Sequence, residues 1–434
     1  MPELSSGIIG TTVLFVLLLA GMPIAVSLGL VGLVGLVFVL GFEPALIKAG
    51  VVLIETLTRY ELGTLPLFLL MAHLCSSANA SRDFFDAAAR LVGHKRGGLA
   101  FASVGGCAAF GAVNGSSLAT AATMGLVALP EMRKRGYSDS FAAGCVAAGG
   151  TLGQMIPPSG ALIVFGIIAE QSIGKLFTAA LIPGLSQVFL YFVVIWLVAT
   201  LRPAMAPPSE RSGWGQRMKA LLRILDVLLL VLLVISGIAL GWVTPTEAAS
   251  IGAVGALLIC ARRKRLNLKT LRAALQETLV TSGLIFAVII GSILFSVFIS
   301  VTGLAEVMAS MATDSSLGPV ATMMVVAVIL LLLGSVLDGL ALMLLATPIL
   351  LPIISNLGLS PIWFGIFLVR AMEIGFIHPP MGLNLYVIQG IAPDISLSRI
   401  FKGVVPFLMS DIFHLVLLIL FPIMALWLPE VMQP

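Results

Sequence analysis

Charge is what this sequence lacks most. Of its 434 residues only 10% are Asp, Glu, Lys or Arg, and 59% are hydrophobic. Ordinary soluble proteins carry about 25% charged residues. A water-soluble core has no use for so much apolar surface, so the composition excludes a soluble fold and makes lipid the solvent. Lys and Arg are absent altogether from 273 to 369. Cysteine is scarce. Cys75, Cys107, Cys145 and Cys260 lie in or beside apolar segments without metal-ligand spacing, which argues against a disulfide framework and for packing residues. No Walker A, HExxH or GxSxG pattern occurs, so neither ATP hydrolysis nor enzyme chemistry is expected. The first Lys is Lys48, and the missing basic n-region argues against a cleaved signal peptide.

What is present is a set of long apolar runs. Segments 7–40, 180–201, 224–243, 318–337 and 403–428 approach or exceed the roughly 20 residues needed to cross a bilayer. The expected fold class is an all-α polytopic membrane protein. The net charge of +4 is concentrated in "RDFFDAAARLVGHKR", "MRKRGY", "LRPAMAPPSERSGWGQRMKALLR" and "RRKRLNLKTLR". These read as cytoplasmic loops under the positive-inside rule, and not as a nucleic-acid surface. The 273–369 stretch is then membrane or its outer face.

Threading the spans through this charge map gives two short spans at the start, an interfacial segment 43–60 and a span at 62–80. Segment 98–125 is flanked on both sides by basic residues and has a Gly/Asn/Ser-rich middle, "AVNGSSLATA". It is expected to be a re-entrant hairpin open to the cytoplasm. A helix over 138–170, broken at "IPPSG", follows. Next come spans at 175–201, 224–243, 245–261 and 276–301. A second, outward-opening hairpin is expected at 318–350, a second broken helix at 361–392 and a last span at 403–428.

The two breaks are related. A shift of 222 residues superposes Leu129-Pro130 on Leu351-Pro352, Gly136 on Gly358, Ser138 on Ser360, Gly153 on Gly375, Pro157-Pro158 on Pro379-Pro380 and Gly160 on Gly382. It also lays the hairpin tip 114–117 over 336–339. The charge map orients the two copies oppositely. Inverted repeats with interrupted helices mark secondary transporters, whose sites lie where the helices break. Adjacent prolines remove helical hydrogen bonds, and lipid does not tolerate the freed carbonyls unless protein or a watery cavity receives them. Those carbonyls suit Na⁺, and the N-terminus of the next half-helix suits an anion.

Several side chains bear on this site. Ser116, Ser117 and Asn114 offer oxygens to a cation or carboxylate, or simply cap the hairpin turn. Asp338 lies in a long apolar run, which makes it a functional candidate; capping the second hairpin arm is its plainer role. His378 either titrates or lines the break, its backbone carbonyl facing a cation. Arg370 and Glu373, three apart, are expected to form a local ion pair. Asp411 and His414, also three apart, are expected to pair with each other or with a partner subunit.

The segments "GAVNGSSLATAATMG", "EMRKRGYSDSFAAG", "GTLGQMIPPSG", "LFTAALIPG" and "ATPILLPI…EIGFIHPPMGLNLYVIQGI" resemble the large membrane subunit of tripartite ATP-independent periplasmic (TRAP) transporters over nearly the whole chain. The resemblance implies import of an organic acid by Na⁺ symport in a bacterial inner membrane, with an elevator-type motion of a transport domain against a scaffold. It implies two partners, a small four-helix membrane subunit (Q) and a periplasmic substrate-binding protein (P), and no cofactor besides the coupling Na⁺. Carried over by motif, one Na⁺ site takes Ser116, Gly153, Ile156 and Pro158. The other takes Gly334, Gly375, His378 and Met381. Asn114, Ser117, Ser159, Asp338 and Gly382 are the expected substrate contacts. Many family members carry Thr where this chain has His378. Segments 1–97 and 202–275 are expected to be scaffold, and 98–201 and 276–434 the two transport repeats. Both termini are expected in the periplasm. Two other readings compete: a stand-alone symporter or antiporter of the same fold, and a non-transporting membrane scaffold.

Overall fold

The structure, a computed structural model, describes residues 2–314 and 318–432. Its described residues form twenty α-helices and no strand. The first part comprises α1 (Pro2–Leu19), α2 (Ile24–Leu40), α3 (Phe42–Thr58), α4 (Thr64–Ser77) and α5 (Ala80–Val92). The first repeat follows as α6 (Gly98–Asn114), α7 (Ser117–Lys134), α8 (Asp139–Met155), α9 (Gly160–Ile168) and α10 (Ile173–Leu201). Then come α11 (Trp214–Ala239), α12 (Pro245–Arg262), α13 (Leu268–Val301) and α14 (Leu304–Asp314). The second repeat is α15 (Pro319–Gly334), α16 (Gly339–Asn356), α17 (Pro361–Gly375), α18 (Leu383–Ile391) and α19 (Leu397–Leu420), and α20 (Ile423–Met432) ends the chain.

Five of these helices are each long and apolar enough to cross a bilayer, or seven if each bent pair counts as one span. The pair α4/α5 bends by 61° and the pair α8/α9 by 40°.

The 222-residue shift read from the sequence holds for elements. Moved by that amount, α7 begins and ends on the bounds of α16. Ser116 and Asp338, superposed by the same shift, are the N-caps of these two helices. Ser138 and Ser360 likewise stand at the N-cap positions of α8 and α17, the Ser138 side chain accepting from the Phe141 N–H and that of Ser360 making no cap hydrogen bond. Both proline pairs contain a cis peptide bond.

Several boundaries differ from the sequence reading. Both hairpins run past their expected ends, α7 to Lys134 and α16 to Asn356. The last span, expected at 403–428, is two helices. Pro422 has no N–H to continue α19, and Phe421 before it is driven out of the helical region, at φ −129° and ψ 71°. The span expected at 276–301 starts at Leu268, because the Asn267 side chain accepts a hydrogen bond from the Thr270 N–H at 2.8 Å and nucleates the helix. Lys269 and Arg272 therefore lie in a helix, outside any loop. The span expected at 224–243 starts at Trp214.

Helices pack through small residues, as helices in lipid do, where close backbone approach replaces the hydrophobic driving force. A Cβ on Gly32 of α2 would stand 2.6 Å from the Phe295 N of α13. One on Gly403 of α19 would collide with the Ser140 carbonyl of α8. α8 is almost wholly buried, enclosed by α6, α7 and α19. In contrast, α1, α2, α3, α11 and α13 expose many large apolar side chains, among them Phe38, Ile54, Leu229 and Leu279. All four cysteines are buried and unpaired.

Candidate functional site

Two helical hairpins, α6/α7 and α15/α16, set their tips against the two interrupted helices. Glycine makes this possible. At the first break, a Cβ on Gly153 would stand 2.8 Å from the Ser116 carbonyl oxygen and 2.6 Å from Thr120 Oγ1. Gly115, at the tip, has φ +64°, and its carbonyl accepts a hydrogen bond from the Gly160 N–H at 3.4 Å. At the second break, a Cβ on Gly375 would stand 2.6 Å from the Gly334 carbonyl oxygen. Gly153 and Gly375, superposed by the repeat, play the same part.

Backbone chemistry follows from the prolines. Pro157 and Pro158 have no N–H, so the carbonyls of Gly153 and Gln154 have no donor four residues on. Pro379 and Pro380 do the same to Gly375 and Phe376, and the Phe376 carbonyl is taken by the Asn384 N–H at 3.0 Å. Among the described residues no three His, Cys, Asp or Glu side chains converge as a metal cluster. The oxygens on offer at the breaks are main-chain carbonyls and hydroxyls, with the amides of Asn114 and Gln154 and the carboxylate of Asp338 beside them, a donor set suited to a hard cation.

A cavity of about 160 Å³ lies at the first break, lined among others by Asn114, Ser116, Gln154, Pro158, Gly160 and Thr281. One of about 180 Å³ lies at the second, lined among others by Gly334, Asp338, Gly375, Phe376 and Met381. Leu340, from the second hairpin, also lines the first cavity, so the hairpins meet there. A larger cleft of about 570 Å³ lies away from both breaks. Arg59 crosses it to Glu170, with Nη2 2.7 Å from Oε1, and donates from Nη1 to the Ile167 carbonyl at 3.1 Å.

The residues expected at the site fall into four groups. Asn114, Ser116, Pro158, Gly334, Asp338, Gly375 and Met381 line the two cavities. Gly153, Ile156 and Gly382 are buried in the breaks themselves, Gly382 with φ +56°. Ser117 and Ser159 are buried and engaged. Ser159 Oγ caps α9 by accepting from Leu162 N–H, and Ser117 Oγ accepts from Asn384 Nδ2 at 3.0 Å. His378 is half-buried, and its Nδ1 has no hydrogen-bond partner. Ser116 and Asp338 both cap their helices, accepting from Ala119 N–H and Leu340 N–H.

Sequence reasoning missed Asn384. From α18 it reaches α7 through Ser117 and α8 through the Ala147 carbonyl, 3.0 Å from Nδ2, and so ties the second break to the first hairpin. Its signal was a lone amide in an apolar run directly after a break. Gln154, inside "GQMIPP", is a lone amide just before the other break.

The Arg370–Glu373 ion pair forms as expected, Nη1 to Oε2 at 2.7 Å. Asp411 and His414 do not pair with each other. Asp411 takes Arg370 Nη2 at 2.5 Å, Gln187 Nε2 at 2.5 Å and Tyr191 OH at 3.0 Å, while His414 Nε2 lies 2.8 Å from Ser186 Oγ. Both side chains point into the helix bundle, fully buried, where the sequence allowed a partner subunit.

An all-helical membrane protein with two repeated halves, each setting a hairpin tip against an interrupted helix, has the build of a transporter. Comparison with known proteins makes this specific. Residues 11–424 match the family described as "Tripartite ATP-independent periplasmic transporter, DctM component", and the chain belongs to that family. It is 37% identical over 405 residues to the C4-dicarboxylate TRAP transporter large permease protein DctM of Pseudomonas aeruginosa, covering 92% of this chain and 93% of that one. It is 32% identical to the sialic acid TRAP transporter large permease protein SiaM of Vibrio cholerae, covering 95% and 96%. It is also 32% identical to the isethionate TRAP transporter permease protein DctMQ of Oleidesulfovibrio alaskensis, covering 90% of this chain and 61% of that longer one. In fold it resembles the YdaH transporter of Alcanivorax borkumensis, with TM-score 0.58 and 14% identity over 90% of each chain. It also resembles MtrF of Neisseria gonorrhoeae, with TM-score 0.59 and 14% identity over 86% and 84%. The chain is thus a transporter component and not an enzyme.

Proposed function

We propose that this chain is the membrane path of a Na⁺-coupled importer of a small organic acid. The observation that carries the proposal is the matched pair of contacts in which Gly153 and Gly375 let the main chain of each break touch a hairpin tip. Each contact brings carbonyls without helical donors beside a cavity and beside a helix N-terminus. Na⁺ binds at the first site through Ser116 and the main chain of Gly153, Ile156 and Pro158. It binds at the second through Gly334, Gly375, His378 and Met381. The carboxylate sits nearer the N-termini of α7 and α9, contacted by Asn114, Ser117 and Ser159, with Asp338 and Gly382 closing the second side.

The chain works in a bacterial inner membrane with a small four-helix subunit and a periplasmic binding protein that delivers the substrate. The fused DctMQ relative fits the first partnership. Choice of acid rests largely with the binding protein, since large permeases of related sequence serve C4-dicarboxylate and sialic acid systems. Segments 98–201 and 276–434 move as a transport domain past a scaffold of 1–97 and 202–275, with both termini in the periplasm. The chain ends themselves lie outside the described residues. The test is uptake by the purified complex in liposomes. Accumulation is expected only with an inward Na⁺ gradient and the binding protein. Accumulation without Na⁺ would overturn the coupling, and accumulation without the binding protein would make the chain a stand-alone symporter.

A further inference from the structure

Several arginines of the basic segments are answered by the protein's own carboxylates. Arg133 meets Asp139 and Asp394, Arg135 meets Glu131, and Arg262 and Arg263 meet Asp226, Arg263 also Asp83. One group is not answered. It lies where α5 turns into α6 and the 202–213 loop enters α11. There the Ser209 N–H donates to the Gly93 carbonyl at 2.9 Å, Arg90 Nη1 donates to Gln216 Oε1 at 3.4 Å and Arg217 Nη2 donates to His94 Nδ1 at 3.4 Å. The charges of Arg217, Arg211 and Lys95 all act on the His94 ring. Among the described residues, none of Arg82, Arg90, Lys95, Arg211 and Arg217 stands within ion-pair distance of a carboxylate. A cavity of about 340 Å³ opens beside them, with Arg82, Arg90, Arg135 and Arg211 on its wall against Asp86, Glu131 and Glu210. Glu131 is already taken by Arg135. Two donors here are buried without a hydrogen-bond partner, Ser209 Oγ on the cavity wall and Arg217 Nε beside His94. Buried donors left unmade are costly, and these two stand amid uncompensated positive charge.

The early start of α11 bears on the same place. The helix has 26 residues, about 39 Å at a rise of roughly 1.5 Å each, whereas the hydrocarbon core is about 30 Å thick. Its first turns therefore stand in the headgroup layer. Trp214 is exposed there, as interfacial tryptophans are. Trp214, Met218, Leu222, Leu225 and Leu229 are all exposed and follow one another at helical spacing. They form a single apolar stripe that begins beside Arg217 and runs into the membrane. A positive head joined to an apolar track is the complement of a phospholipid.

We propose that this cluster holds the phosphodiester headgroup of an anionic phospholipid of the cytoplasmic leaflet, with its acyl chains along the α11 stripe. The leaflet is the one to which the positive-inside rule assigns these segments. The phosphate oxygens accept from the Arg217 Nε–H and the Ser209 hydroxyl, bonds that the ionic acceptor strengthens. Arg90, Lys95 and Arg211 balance the charge. Basic pockets between helices on the cytoplasmic side suit such heads. Inorganic phosphate shares the chemistry of the head and lacks the chains, so the stripe favours the lipid. His94 and Lys95 lie between α5 and α6, and Arg217 lies in α11. A bound lipid therefore braces the root of the first hairpin against α11. The inference uses the chain's place in a bilayer and not its coupling to Na⁺.

The test is native mass spectrometry of the purified complex, titrated with phosphatidylglycerol, with phosphatidylethanolamine of the same chains and with inorganic phosphate. Wild type is expected to retain phosphatidylglycerol more tightly than phosphatidylethanolamine, and excess phosphate is expected not to displace it. Arg211→Gln/Arg217→Gln is expected to weaken retention about tenfold or more. Lys269→Gln/Arg272→Gln removes the same charge from another basic segment and is expected to change retention little. Equal effects of the two pairs mean attraction to the basic face as a whole and overturn the site. Equal retention of the two lipids overturns it too, and displacement of the lipid by phosphate overturns it in favour of a free anion. If Arg211→Gln/Arg217→Gln fails to reach the membrane, wild type decides, through phosphatidylglycerol that carries a photoreactive acyl chain. Labelling within 214–229 supports the site, and labelling confined to other segments overturns it. Failure here leaves Na⁺-driven import standing, and uptake that proves independent of Na⁺ leaves the lipid site standing.

Discussion

Single residues hold the two halves together, and their removal has calculable effects. Arg370→Met leaves Asp411 buried without its countercharge, a change that costs about 3–5 kcal/mol. The expected outcome is a large drop in the unfolding midpoint of the purified protein. The triple variant Arg370→Met/Glu373→Gln/Asp411→Leu should regain most of it, because replacing a whole buried ion network is far milder than breaking one. Equal instability of the single and triple variants would refute the pairing. Asn384→Ala removes the donor to Ser117 Oγ and the Ala147 carbonyl. Each buried group left unpaired costs about 1–3 kcal/mol, so hydrogen exchange at the start of α7 should quicken. At the breaks, Gly375→Ala places a methyl against the Gly334 carbonyl. Uptake should collapse while membrane insertion stays normal, as followed by transport assay and surface labelling; normal uptake would show that the tip need not touch the break.

At the scale of helices, caps decide where elements begin, and the repeat preserves them with different chemistry. Ser116 caps α7 and Asp338 caps α16. Asn caps about as well as Asp, whereas Ala costs about 0.5–2 kcal/mol. Asp338→Asn is therefore expected to keep uptake and Asp338→Ala to reduce it; loss in both would mean that the charge itself is needed. Much of this level was readable in the sequence. Pro157-Pro158 and Pro379-Pro380 announce interruptions because a ring nitrogen lacks a proton wherever it sits. The Gly/Asn/Ser stretch at 114–117 announces a turn for equally local reasons. Contacts between distant helices were not readable. Asp411 and His414 sit one turn apart on α19, a spacing that suggests each other, yet their partners are Arg370 and Ser186 on two other helices. The start of α13 at Leu268 was obscured because Lys269 and Arg272 look like loop residues until the Asn267 cap is seen. Ser117 was legible as a polar tip residue, but its commitment to Asn384 depends on the packing of α18 against α7.

At the scale of the whole molecule, the bundle divides into closely packed helices around α8 and a shell of helices with exposed apolar faces. Between them Arg59 reaches across a cleft to Glu170 and the Ile167 carbonyl. If the inner group slides during import, this contact must open. A short bifunctional thiol reagent joining Arg59→Cys to Glu170→Cys should therefore stop uptake, and cleavage of the linker should restore it. Uptake unaffected by the joined pair would show that these two segments travel together. Such work is helped by the placement of Cys75, Cys107, Cys145 and Cys260, all sequestered from solvent. Buried structural thiols are inert to aqueous reagents. Fluorophores or spin labels can accordingly be attached at chosen surface positions of the unaltered wild-type background, so that distances are followed through a turnover without first stripping the native sulfhydryls.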